Sequence, residues 1–242
     1  MAEIQFNTDV IRPVECFKEA WELIKSDYWI LFLIFLVGAI IGAASMYILL
    51  GAMMCGIFNS YIKKIDGKPV AFEDLFKGFS YFGQSLLLVI VIIVPSLIMM
   101  GIVYAPFIAA FAMGGKLSQD ELMGLVAGSL VVDLIVSLIV ISFHTLLVFA
   151  FPLLVDRNIS AFEAMKTSAK AVWQNLGGVV GLILVGAGIN FVGALACGIG
   201  VYFTIPIVFA GNVLAYRKVF PAAQNFNQPP QPNAYPSAGS YT

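Results

Sequence analysis

The chain has 242 residues, 60% of them hydrophobic, with only 13 Lys and Arg against 14 Asp and Glu and a formal net charge of −1. Soluble domains carry about 25% charged residues, against 11% here, so a soluble enzyme of this size is excluded as a class. The 20 Phe argue against intrinsic disorder and the near-zero charge against nucleic-acid binding, which leaves a polytopic membrane protein.

The first predicted element is a short helix in which Val14, Phe17, Trp21, Ile24 and Tyr28 recur on one face, with Glu15, Lys18, Glu19, Glu22 and Lys25 on the rest. A helix of this kind beside an apolar run is expected to lie in the plane of a membrane interface. It already separates the N-terminus from the first apolar run, so no cleavable signal peptide is expected. The charge-free stretch 28–62 follows, 35 residues long. One crossing takes about 20 apolar residues, so the stretch reads as two short helices turning near Gly42–Tyr47, either a transmembrane hairpin or a re-entrant one. Phe72, Leu75, Phe76, Phe79 and Phe82 then form a second aromatic face, with Glu73, Asp74 and Lys77 opposite. Two crossings are predicted over 84–155, separated by a loop that holds Lys116. Phe162, Met165, Ala169, Val172 and Trp173 make a third face, opened by the capping-box pattern Ser160-Ala161-Phe162-Glu163. The 46 charge-free residues of 171–216 suit two helices turning near Gly193–Gly200. Pro95, Pro106, Pro152 and Pro206 should kink or end spans. The tail 221–242 is rich in Pro, Gln, Asn and Ser without apolar periodicity, and is expected to be disordered and cytoplasmic.

The predicted architecture is therefore all-α and membrane-integral. It has six transmembrane helices in three pseudo-repeats, each an amphipathic interfacial helix followed by a transmembrane hairpin. One membrane domain spans 1–220, with repeats over about 12–64, 70–155 and 158–220. Phe17, Trp21, Phe72, Phe79, Phe162 and Trp173 are the expected interfacial anchors. All the cations except Lys116 cluster at the starts and ends of these units. Cationic loops prefer the cytoplasmic side, so an even number of crossings separates each cluster from the next. Both termini are then cytoplasmic and Lys116 is external.

Several segments carry a resemblance: Phe151-Pro152-Leu153-Leu154-Val155-Asp156-Arg157, Ala161-Phe162-Glu163-Ala164-Met165, Trp173-Gln174-Asn175, Ile205-Pro206-Ile207, Ala215-Tyr216-Arg217-Lys218-Val219-Phe220 and Phe72-Glu73-Asp74-Leu75-Phe76-Lys77-Gly78-Phe79. Together they resemble a broad group of prokaryotic multi-pass membrane proteins related to the membrane domain of some glycerophosphodiester phosphodiesterases. The resemblance covers roughly residues 12–220. It implies a six-span module in a prokaryotic cytoplasmic (inner) membrane and brings no catalytic residues, since the phosphodiesterase domain has no counterpart here.

Groups for catalysis are scarce. His144 is the single histidine, and Cys16, Cys55 and Cys197 show no pairing pattern. Gly78-Phe79-Ser80-Tyr81-Phe82 misses G-x-S-x-G at its last place, and Gly115-Lys116-Leu117 fails the phosphate-loop pattern. The carboxylate pairs Glu73-Asp74 and Asp120-Glu121 are sequence neighbours, which do not face each other on a helix. No catalytic, cofactor-binding or metal-ligating residue is expected, and no cofactor. Asp133, Ser137 and His144 share a helix face inside a predicted span, which reads as a polar packing seam or as an ion or proton path. By counting back from Asp156, Asp133 should lie at the outer interface. Gly38/Gly42, Ala52/Gly56, Gly124/Gly128, Gly177/Gly181 and Ala194/Gly198 repeat a small residue every four positions, which lets helices approach closely.

The expected function is that of a non-enzymatic scaffold, assembly factor or membrane-organising component. The lipid bilayer is its main partner, and a homo-oligomer and a cytoplasmic ligand of the Pro-rich tail are further candidates. A transporter or channel for a small or lipid-like substrate, using the Asp133/His144 face, is the rival. An accessory subunit of a lipid-metabolising enzyme is a third reading, resting on the resemblance alone.

Overall fold

The computed structural model describes residues 4–112, 118–196 and 198–222, all helices and connecting turns. The expected external loop at Lys116, Cys197 and the tail from residue 223 lie outside the described residues. The helices are α1 (Pro13–Ile24), α2 (Tyr28–Ala44), α3 (Leu50–Ile65), α4 (Phe82–Ala112), α5 (Gln119–Leu146), α6 (Ala150–Arg157), α7 (Ala161–Gln174), α8 (Leu176–Leu195) and α9 (Gly200–Val219). Four stretches among them are long and apolar enough to cross a membrane: Pro13–Ala44, Phe72–Ala112, Gln119–Arg157 and Leu176–Leu195. The predicted turns fall where expected, between α2 and α3 and between α8 and α9.

The second expected surface helix differs from its prediction. Phe72–Tyr81 winds as ten residues of 3-10 helix rather than α-helix, a long run for that geometry. Two restraints account for it. Asp74 is buried and accepts from the Ala71 N–H at 3.0 Å, from Lys63 Nζ and from Lys77 Nζ at 2.6 Å each. In addition, the segment runs against α3 almost backbone to backbone. A Cβ built on Gly56 would lie 1.8 Å from the Leu75 carbonyl oxygen, and one on Gly78 would lie 1.9 Å from that of Ala52. Of the small-residue pairs in the sequence, Ala52/Gly56 is thus the tightest seam, and its counterpart Gly78 was not anticipated.

The break between α5 and α6 follows from Pro152, which has no N–H and whose ring would clash with the carbonyl of Val148 in a continuous helix. Ser168 of α7 fills the gap: its hydroxyl donates to Leu146 O at 2.7 Å and accepts from Phe149 N at 3.1 Å. Helix α7 starts with the expected capping box, Ser160 Oγ accepting from Glu163 N while Glu163 Oε2 accepts from Ser160 N.

The largest buried side chains gather at the charged end of the molecule, among them Tyr61, Phe149, Tyr216 and Phe220. Here the last turns of α3, α6 and α9 converge on Arg217, which is 9% exposed. Its Nε and Nη2 donate to the two oxygens of Asp66, and its Nη1 and Nη2 to those of Asp156, all four at 2.7 Å. Tyr216 Oη adds a fifth bond to Asp156 at 2.7 Å. Burial alone would lower the pKa of the guanidinium, but the two carboxylates outweigh it and raise the pKa. Lys64 pairs with Asp27, which joins the start of α2 to the end of α3. Tyr81 Oη donates to Val155 O at 3.3 Å, and Gln84 Oε1 accepts from Ala161 N at 2.8 Å. The two ends of each hairpin therefore sit together, and all three pairs of ends sit on one side.

Crowding at the 3-10 contact gives a direct comparison of glycines. Gly78→Ala is expected to lower stability by about 1–3 kcal/mol, the usual cost of forcing an extra methyl into a packed site. Gly124→Ala, where an added Cβ meets nothing within 4 Å, should leave it unchanged. Thermal unfolding of the two variants in detergent checks this.

Candidate functional site

The helices α4 and α5 form a hairpin that extends well past the packed end. Helix α4 has 31 residues, about 46 Å at 1.5 Å per residue. Its buried residues are Ser85, Leu88 and Val89, all near its start, and α5 has none. Beyond Ile93 the two helices have chiefly each other for company.

Between them runs a groove that holds the polar residues picked out in the sequence. Asp133 and Ser137 of α5 meet Ser96, Met100 and Tyr104 of α4 around a cavity of about 290 Å³. His144 lies further along α5, with Nε2 3.1 Å from Ser96 Oγ. The Ser96 hydroxyl also reaches Ile92 O at 2.8 Å; when it donates there its oxygen accepts from His144 Nε2, and with the other imidazole tautomer it donates to that nitrogen instead. Ser96 was not anticipated, although its place after Pro95 in the middle of an apolar run was the available signal. Asp133 is exposed and makes no hydrogen bond or ion pair among the described residues. It lies beside Val103 and Tyr104, in the outer half of α4.

A second cavity, about 320 Å³, lies nearer the outer end of the hairpin, between Val103 and Pro106 of α4 and Gly124, Gly128 and Ser129 of α5. An apolar pocket of about 350 Å³ lies on the other side of α5, against Trp173, Leu176 and Ile183. The hydroxyls of Ser142 and Thr145 on its wall are turned back to Leu138 O and Ile141 O at 2.7 Å, so the wall is mostly hydrocarbon.

The other expected residues divide by environment. Gly38 packs on Ile57 and Leu75, Gly42 on Leu50, and Gly181 on Pro13, whereas Gly124, Gly128 and Gly177 have open space where a side chain would be. Trp21, Phe79, Phe162 and Trp173 are exposed, the last two by 70% each, and Phe72 is half-buried. Phe17, expected at the interface, is buried instead: its ring fills the notch that Gly211 leaves on α9. The buried stripe of α1 is Cys16, Phe17, Ala20 and Ile24, a face rotated from the aromatic one towards smaller residues.

Asp133 and His144 are eleven residues apart on one helix, about 16 Å by the helical rise, so they cannot act on one atom. Among the described residues no three of His, Cys, Asp or Glu stand together as metal ligands. Comparison of the chain with protein families, with characterised proteins and with solved structures finds no match.

Proposed function

We propose that the protein is a non-enzymatic scaffold or assembly component of a prokaryotic cytoplasmic membrane, with both termini cytoplasmic. Its ion-paired end lies at the inner surface, and the α4–α5 hairpin stands free in the bilayer as the surface offered to other components. The observation that carries this reading is the contrast between the two ends. One is cross-braced by Arg217, and the other exposes nearly all of two long apolar helices. The exposed aromatics Trp21, Phe79, Phe162 and Trp173 on the three charged segments suit the headgroup region. Transport of a small or lipid-like substrate is the second reading, favoured by the half-open groove at Asp133.

Within this reading the chain keeps three units of surface segment plus hairpin, but the first hairpin enters from the inner side and returns. Helices α2 and α3 have 17 and 16 residues, about 24–26 Å against a hydrocarbon core near 30 Å, whereas α8 and α9 have 20 each. Gly51, at the tip, lies against Ser85 in the first turn of α4, close to the inner end. The turn itself is made for hydrocarbon. Each backbone N–H from Ser45 to Leu50 has an acceptor inside the turn, Ser45 Oγ serving Leu49. Water-exposed turns have no such need, but turns in lipid do. Met46 and Tyr47 adopt left-handed φ of 50° and 67°, a strained choice without glycine, and Met46 is 84% exposed. Parity of the charges is preserved, since no crossing and two crossings are both even.

Two measurements bear on these claims. A membrane-impermeant thiol reagent applied from outside should label a cysteine replacing Lys116 but not one replacing Tyr47, in a chain freed of its native cysteines. Labelling of both would restore a full first crossing. In mild detergent the protein extracted from its own membrane should run as a complex larger than its 26.2 kDa monomer plus micelle. A lone monomer, together with substrate flux in vesicles that Asp133→Asn abolishes, would favour transport.

A further inference from the structure

Resting on the placement of the charged end at the inner membrane surface, we propose that α7 and the groove between α5 and α8 bind one anionic phospholipid. Its phosphate sits at Lys166 and Lys170, and one acyl chain runs along the groove past Trp173. The first observation is a stripe on α7. Phe162, Lys166, Lys170 and Trp173 fall within about 80° of the helix circumference at 3.6 residues per turn, and all four are exposed. The buried face of the same helix, Ala161, Ala164, Ser168, Ala171 and Val172, lies opposite. Two lysines therefore stand between two large aromatic rings on one outward face. Rings flanking cations suit the boundary where lipid phosphates meet hydrocarbon. The neighbouring acids are engaged elsewhere, Glu163 with Ser160 in the capping box and Asp156 with Arg217.

The groove begins where the stripe ends. Trp173 stands in its wall with Leu146 and Leu176 at the charged end, and it runs outward to Ile141 on α5 and Leu184 on α8. From Leu176 to Leu184 is about 12 Å by the helical rise. Ile141, Leu176, Val180 and Leu184 are all exposed, so the groove is open along its length to whatever surrounds the protein. Its two hydroxyls donate back into α5, which leaves an apolar lining for an apolar occupant. Charge then chooses among apolar occupants. Lys170 and Lys166 precede Trp173 by about 4.5 and 10.5 Å along the helix, so a phosphate between them is within reach of a chain that enters beside the indole. A phospholipid of negative charge carries both parts in one molecule, and each lysine at an anionic surface adds about 1 kcal/mol of attraction, roughly a fivefold preference.

The test uses the full chain with Trp21→Phe and Trp29→Phe, which leaves Trp173 as its one tryptophan. The vesicles hold phosphatidylcholine and phosphatidylglycerol in equal parts, with bromine on the acyl chains of one lipid or of the other. Bromine quenches tryptophan on contact, and the surface charge is the same in both preparations. Trp173 should meet phosphatidylglycerol about five times as often as phosphatidylcholine, the preference of about one lysine. Lys166→Gln with Lys170→Gln should bring the two lipids to equality, and Lys166→Arg with Lys170→Arg should keep the difference. Replacing the reporter by Trp173→Phe with Leu184→Trp, at the far end of the groove, should preserve the phosphatidylglycerol preference. Placing it instead by Leu134→Trp, at an exposed position of α5 outside the groove, should show none. Equal quenching of Trp173 by the two lipids would overturn the proposal, as would a preference that survives the paired Gln substitutions. A preference absent at Leu184→Trp would remove the groove from the site, and an equal one at Leu134→Trp would reduce it to general enrichment around the protein; either overturns the proposal. Excess soluble glycerol phosphate that abolishes the preference would overturn it in favour of a free-phosphate site. Quenching by neither lipid would overturn the placement of the charged end as well, whereas equal quenching by both refutes this inference alone.

Discussion

A single guanidinium holds the ends of three hairpins. Arg217 near the end of α9 forks onto Asp66, one residue past α3, and onto Asp156 in the last turn of α6. Such a fork is worth having where water is scarce, because the two bidentate pairs satisfy four of the five N–H donors while the charge stays compensated. Much else follows from where it sits. If three C-terminal ends meet at one point, each hairpin must come back as far as it goes out, whichever of them cross. Helix ends drawn together also leave carbonyls without partners. The N-terminal segment meets two of these, Asn7 donating from its backbone to Val219 O and from its side chain to Lys218 O. Arg157 closes the other flank by donating to Pro221 O.

Away from this junction the governing constraint changes from pairing charges to hiding backbone. The turn at Ser45–Leu50 bonds its own N–H groups, and Ser168 supplies donor and acceptor to the gap that Pro152 opens. Thr204 does the same between helices, donating to Asn190 Oδ1 at 2.8 Å. These small polar side chains do inside the protein what water does elsewhere. The α4–α5 hairpin departs from the pattern, since it is long, thinly packed and marked by an exposed carboxylate. Its thin packing contrasts with that of the braced end.

How much of this was legible in the sequence depended on the kind of signal. Charge placement was readable because charges are few and membrane energetics leave them little choice, so the turns between α2 and α3 and between α8 and α9 came out close to those observed. The polar face of α5 was readable too, because helical periodicity brings Asp133 and Ser137 together. Contacts between distant segments were not. Nothing local in Phe72–Tyr81 distinguishes an α-helix from the 3-10 form that Gly56 and Gly78 permit by backbone contact. The same limit applies to Phe17, whose burial depends on a missing side chain at Gly211, and to Asp66, which reads as an ordinary loop acid until Arg217 is beside it.

The claim on which the account rests is that one ion cluster braces all three units, and not α9 alone. Amide hydrogen exchange of the protein in lipid nanodiscs, compared between the parent and Arg217→Met, tests it directly. The account predicts faster exchange at three separate places in the variant: the last turns of α3, all of α6 and the last turns of α9, with the α4–α5 hairpin unaffected. Faster exchange confined to α9, with the ends of α3 and α6 protected as before, would contradict it.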